Sequence, residues 1–96
     1  MQNFNDLTAA ETERLALLAE EMGEAIQVIG KILRHGYLNC HPDGGPNNRG
    51  LLEKELGDVR HAMIRMCEAN DVGKNMVHAY AEKKRFAVTK YLHHQD

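Results

Sequence analysis

Ninety-six residues are enough for one small core and too few for two, so the chain is taken as a single domain, residues 1–96. Hydrophobic residues at 43% and charged residues at 27% give the balance of a soluble globular protein, while a net charge of −2 argues against bulk binding of nucleic acid. With aromatics at 5% and no Trp, any core has to be built from Leu, Ile, Val, Met and Ala, which favours packed helices.

Taken in chain order, Thr8-Ala9-Ala10-Glu11 fits a capping box and opens a helix. Apolar residues recur along it at Leu15, Leu18, Met22, Ala25, Ile29 and Leu33, and Gly36 is a natural stop just after Arg34 and His35. Residues 37 to 50 carry both prolines and several glycines and asparagines, so they form a loop. Asn47 or Asn48 caps a second helix with Leu52, Leu56, Val59, Met63 and Met66 on one side. The run Asn70-Asp71-Val72-Gly73 turns the chain, and Asp71 is expected to cap a last helix of about 20 residues ending near His93. No strand pattern occurs. The predicted fold is all-α: a helical hairpin plus a long C-terminal helix.

The two arms of that hairpin resemble each other. Offset by 34 positions, LLAEEMGEAIQVIGKIL (17–33) lies over LLEKELGDVRHAMIRMC (51–67), with Leu17/Leu51, Leu18/Leu52, Glu21/Glu55 and Gly23/Gly57 identical. No third copy follows, so a solenoid is excluded and a hairpin with local two-fold symmetry is expected.

Helical phases place the charges. With Met22 at zero, Leu15, Leu18, Ala25, Ile26, Ile29, Ile32 and Leu33 fall within roughly 80°, whereas Glu21 and Glu24 fall at about −100° and −160° among Leu17 and Val28. The second arm repeats this: Leu51, Ala62 and Ala69 surround Glu55 and Asp58, while Lys54, His61 and Arg65 are expected to face away. One acidic pair on an apolar flank is ordinarily a solvated boundary. Two phase-matched pairs without cations between them would repel, and burying a charge alone is expensive. A divalent cation resolves the conflict, and all-carboxylate ligation suits Mg²⁺ or Mn²⁺.

Glu20-Glu21-x-x-Glu24 followed by Glu55-x-x-Asp58 resembles the EExxE…ExxD signature of the all-α nucleoside triphosphate pyrophosphohydrolases, the MazG-like superfamily. The flanks GKILRHG, NNRGLLEKELGDV and KYLHHQ look like its short single-domain members, some of them phage-encoded. The resemblance implies Mg²⁺ on Glu21, Glu24, Glu55 and Asp58, with Glu20 in support and Glu20 or Glu24 as the catalytic base. It also implies hydrolysis of a nucleoside triphosphate between the α and β phosphates, giving a monophosphate and pyrophosphate. Relatives complete a four-helix-type bundle by oligomerising, which implies a homodimer or homotetramer here. The spacer between the motifs, with its Pro/Gly loop, looks longer than is common. That bears on the substrate more than on the chemistry.

A triphosphate needs fixed cations, and relatives supply them from the last helix. Lys83 is the first candidate, with Lys84, Arg85 and Lys90 behind it; the bland alternative is lysines snorkelling from a core edge. Cys40-His41 is half a zinc site with no second pair to complete it. Arg34, His35 and Arg49 flank the loop and are open to two readings, contact with substrate or, as the favoured one, a helix C-terminal charge pair and a solvated loop residue. Two cysteines without a framework, no apolar run long enough to span a bilayer and no secretory leader point to the cytoplasm and to no membrane partner. Two rivals stand beside the nucleotide hydrolase: a phosphoribosyl-ATP pyrophosphohydrolase, and a non-catalytic helical dimerisation or regulatory module with a structural metal site.

Overall fold

A computed structural model describes residues 4–95 of the predicted domain. Three helices follow in order, α1 (Ala9–His35), α2 (Asn48–Glu68) and α3 (Lys74–Ala87), with a 3₁₀ turn over Thr89–Tyr91. No strand is present among the described residues, and the all-α expectation holds.

The ends of α1 and the start of α2 lie where local chemistry puts them. Thr8 accepts from the Glu11 amide at 3.1 Å, and the Glu11 carboxylate accepts from the Thr8 amide at 2.8 Å, so two orphan donors are satisfied reciprocally. Gly36 ends α1 with φ of 85°, a conformation a side chain would strain. Asn47 caps α2 by accepting from the Gly50 amide at 3.0 Å.

Beyond α2 the expectation fails in two ways. Asp71 does not cap α3, which starts after Gly73 with no side-chain cap. The Asp71 carboxylate instead takes a two-pronged hydrogen bond from Arg14 of α1, at 2.6 Å from Nε and 3.0 Å from Nη2. A bidentate guanidinium outcompetes a pair of amide dipoles for a carboxylate. The last helix is also shorter than expected. It stops at Ala87, where Thr89 returns its hydroxyl to the Arg85 carbonyl at 3.1 Å and the chain tightens into the 3₁₀ turn before Leu92 runs extended.

The Arg14 guanidinium holds the Asp71 carboxyl below the usual carboxylate range. A depressed folded value stabilises above the unfolded pKa, about 3.9, and the contribution is lost as pH falls through the folded value. Asp71→Asn therefore lowers the melting temperature at pH 7 and loses its disadvantage at an acid pH below the folded Asp71 value, where both chains lack the ion pair. Thermal melts at the two pH values check this.

The arms of the hairpin pack along a line different from the apolar stripe centred on Met22. The residues withdrawn from solvent include Leu18, Glu21, Ala25, Val28 and Ile32 on α1, and Leu52, Glu55, Val59, Ala62 and Met66 on α2. Each of the five α2 positions lies 34 residues beyond its α1 counterpart, so the internal likeness is the likeness of two packing seams. That seam is rotated by roughly 80° from Met22, toward the acids. Ala62 is fully enclosed, and Ala25, Val28 and Met66 are nearly so. Small residues on both arms let the helices approach closely around the carboxylates.

The Met22 stripe is left facing outward: Leu15, Met22, Ile26, Ile29 and Leu33 are all exposed, Leu33 to 83%. α3 packs along neither arm and leaves an open hollow of about 640 Å³ between Met63, Ile64 and Cys67 on α2 and Val77, His78 and Ala81 on its own face. The radius of gyration is 17.0 Å, against about 12–13 Å for a compact domain of this length.

Candidate metal centre

Glu21 and Glu24 lie one turn apart on α1, and Glu55 and Asp58 are spaced the same way on α2. Because the arms pack through the acid-bearing seam, the four carboxylates converge. One oxygen from each lies within 4.8 Å of the others, and all four groups are partly buried. The two pairs singled out by helical phase are therefore brought together. Among the described residues no other group of three or more such side chains is gathered.

Two features make this cluster more than a coincidence of rim residues. Oε2 of Glu21 and Oε2 of Glu55 are buried and have no hydrogen-bond partner. A carboxylate oxygen shut away from water without a donor forfeits its hydration and gains nothing in return. Secondly, among the described residues the four acids pair with one cation. Lys54 was expected to point away, but its long stem carries Nζ back to 2.9 Å from Asp58 and 3.6 Å from Glu55. The hydrogen bond to Asp58 raises the Lys54 ammonium above the ordinary lysine range. One ammonium at the rim, its side chain 64% exposed, does not offset four carboxylates or reach the orphaned oxygens.

The donor set fits a small hard cation. Oxygens across the shell of a hard cation stand about 4.2 Å apart for bonds of about 2.1 Å and about 4.6–5.2 Å for bonds of about 2.3–2.6 Å, so four oxygens within 4.8 Å of one another are within reach of a common ion. No sulfur or imidazole enters the cluster, which disfavours zinc.

The remaining predicted residues fall elsewhere. Glu20 is exposed and lies outside the cluster, on a shallow depression with Leu17, His61 and Arg65. His61 does face outward, accepting from Arg65 Nε at 3.1 Å. Lys83 and Lys84 border a shallow depression on α3 with Tyr80. Arg85 approaches Glu82 at 3.8 Å and lies over the Phe86 ring, and Lys90 lies over the Tyr91 ring. None of these four cations forms an ion pair with the acids among the described residues, because α3 swings clear of the hairpin within one chain. Lys54 is the neighbour that phase reasoning missed. Its position one residue before Glu55 and four before Asp58 was the available signal, since i, i+4 pairs meet on a helix.

Comparison with protein-family models, with curated proteins and with solved structures finds no match to this chain.

Proposed function

We propose that the protein is a Mg²⁺-dependent nucleoside triphosphate pyrophosphohydrolase of the MazG-like kind. The observation that carries the reading is the convergence of Glu21, Glu24, Glu55 and Asp58 from two helices, with two orphaned buried oxygens among them. In this reading the four carboxylates hold the cation, Mg²⁺ or Mn²⁺, between the arms. When bound, such an ion neutralises phosphate charge and makes water a stronger nucleophile at neutral pH.

The chain's own groups supply the rest. Lys54 balances Asp58 and Glu55 before the ion enters. Glu20, exposed and next to Glu21 in the chain, would take a proton from the attacking water, and Glu24 is the alternative base. The phosphate-binding cations, Lys83 first and then Lys84, Arg85 and Lys90, reach the acids of a neighbouring subunit in a homodimer or homotetramer. The outward Met22 stripe and the swung-out α3 support that assembly.

The test is a panel of nucleoside triphosphates with Mg²⁺, read as pyrophosphate release. Release of pyrophosphate from one or more of them is expected, and it ceases in chelator. Release of orthophosphate alone overturns the reading in favour of a different phosphohydrolase, and no turnover with Mg²⁺ or Mn²⁺ overturns it in favour of a helical module with a structural ion. Turnover of a phosphoribosyl-ATP adduct but not of free triphosphates would assign the sibling activity.

A further inference from the structure

At the closed end of the hairpin lies a hollow of about 320 Å³ that the proposed reaction does not use. Lys31, Arg34 and His35 from the end of α1 form one wall, the loop residues Cys40 and His41 form another, and Leu51 from the first turn of α2 closes the floor. Among the described residues no carboxylate lines it, although that of Asp43 stands 3.6 Å from Nδ1 of the wall residue His41. Lys31, Arg34 and His35 have no hydrogen-bond or ion-pair partner among the described residues. Arg34 lies back along the helix, its Nη1 3.4 Å from where a Cβ on Gly30 would stand, so the missing side chain leaves room for the guanidinium.

The loop forming the far wall is fixed in place. Cys40 pairs with Asn47 in an isolated antiparallel bridge. The Asn48 amide donates to the Asn39 carbonyl at 2.9 Å, and the Arg49 amide to the Tyr37 carbonyl at 3.0 Å. Asn48, itself buried, donates its side-chain amide to the Gly36 carbonyl at 3.0 Å. Arg49 stacks on Tyr37 with 5.0 Å to the ring centroid. The His41 Nδ1 accepts from the Asp43 amide at 3.1 Å, which leaves Nε2 as that ring's donor. The start of α2 adds the positive end of a helix whose first turn contains no acid.

We infer that this hollow is an oxyanion site for a phosphoryl group, held by Lys31 and Arg34 and separate from the four carboxylates. Three cations without an ion-pair partner, gathered on one wall of a formed hollow whose lining residues include no acid, favour an anion with several acceptor oxygens. A helix C-terminal role for Arg34 and His35 would need neither the loop wall nor Lys31. Lys31 is seven residues beyond Glu24, about 10 Å along the helix. Leu51 precedes Glu55 by four residues, about 6 Å. A phosphoryl group here is therefore either free phosphate or a second phosphoryl group of the ligand held at the acids. The second case rests on the proposed nucleotide reaction; the first does not.

The experiment uses the full chain, ¹⁵N-labelled, in chelator, titrated with inorganic phosphate at constant ionic strength. Saturable amide shifts confined to residues 30–36 and 39–51 are expected, and Arg34→Gln and Lys31→Gln each weaken the affinity by about tenfold. Both side chains are exposed, so the variants keep the spectrum of a folded chain. Shifts that fail to saturate, that chloride reproduces, or that persist unchanged in both variants overturn the inference. The titration is then repeated with Mg²⁺ and a triphosphate bearing a methylene bridge between its α and β phosphorus atoms. Displacement of phosphate by that analogue assigns the hollow to the nucleotide, and simultaneous occupancy assigns it to the free anion. Either result supports the site. Failure of the analogue to bind at the acids would count against the proposed reaction alone.

Discussion

Glu55→Gln is expected to raise the melting temperature in chelator while abolishing both stabilisation by Mg²⁺ and pyrophosphate release. Glu55 Oε2 has no donor, and the nearest charges are three further carboxylates and one ammonium at the rim. An amide removes one like charge and brings two hydrogens to a place where two acceptors have none. A gain of about 1 kcal/mol corresponds to roughly 4–8 °C in a domain of this size. The wild-type chain, by contrast, gains about 2.7 kcal/mol at a cation concentration one hundred times its dissociation constant. Turnover falls about 100-fold or more, the scale for losing one electrostatic anchor of the reacting charge. Thermal melts with chelator and with Mg²⁺, beside a pyrophosphate assay, read all three. Ordinary destabilisation in chelator, with the Mg²⁺ response intact, would mean that the carboxylates do not share an ion.

The second large effect concerns assembly. Leu15, Ala19, Met22, Ile26, Ile29 and Leu33 follow one another at spacings of four and three along the outer side of α1, and every one is exposed. That is the spacing of a coiled-coil seam. Its apolar surface, together with that of Tyr80, Phe86 and Tyr91, has no cover within one chain. Wild-type protein is expected to sediment as a dimer or tetramer, and Ile26→Glu as a monomer. A desolvated charge placed in such a seam weakens association by about 100-fold or more. If α3 of one subunit serves the acids of another, the monomer loses turnover although its own four carboxylates are untouched. A variant that stays monomeric and fully active would refute that arrangement. Analytical ultracentrifugation with the same assay decides.

Much of this was legible in the chain itself because the deciding interactions are local. The Thr8–Glu11 box, the Asn47 cap and the Gly36 stop each depend on residues within three or four positions, and all lie as expected. The acid pairs were legible for a related reason: a 34-residue offset matched them twice, and positions matched across an antiparallel hairpin meet where they lie near its local two-fold axis. Most of what could not be read depends on what packs against a face or a group from elsewhere in the chain. Asp71 looks like a helix cap until Arg14, 57 residues earlier, is seen to hold it. The outward Met22 stripe looks like a core because periodicity reports an apolar face and not what covers it. Lys54 was assigned by the direction of its Cβ, whereas its ammonium stands several bonds away and goes where the charge is.

If the four carboxylates hold an ion, the ammonium at the rim has a consequence for its selectivity. Lys54 acts as a tethered counter-ion already resident beside Asp58 and Glu55. A sodium or potassium ion entering there would bring no more charge than the side chain it displaces, and would still have to shed water. A doubly charged ion improves on the resident at once, and the freed amine is left at the mouth, where an incoming polyanion would meet it. The same lysine would thus exclude the abundant monovalent salts and afterwards greet the ligand, so Lys54→Met should sharpen inhibition by monovalent ions even as it tightens the grip on Mg²⁺.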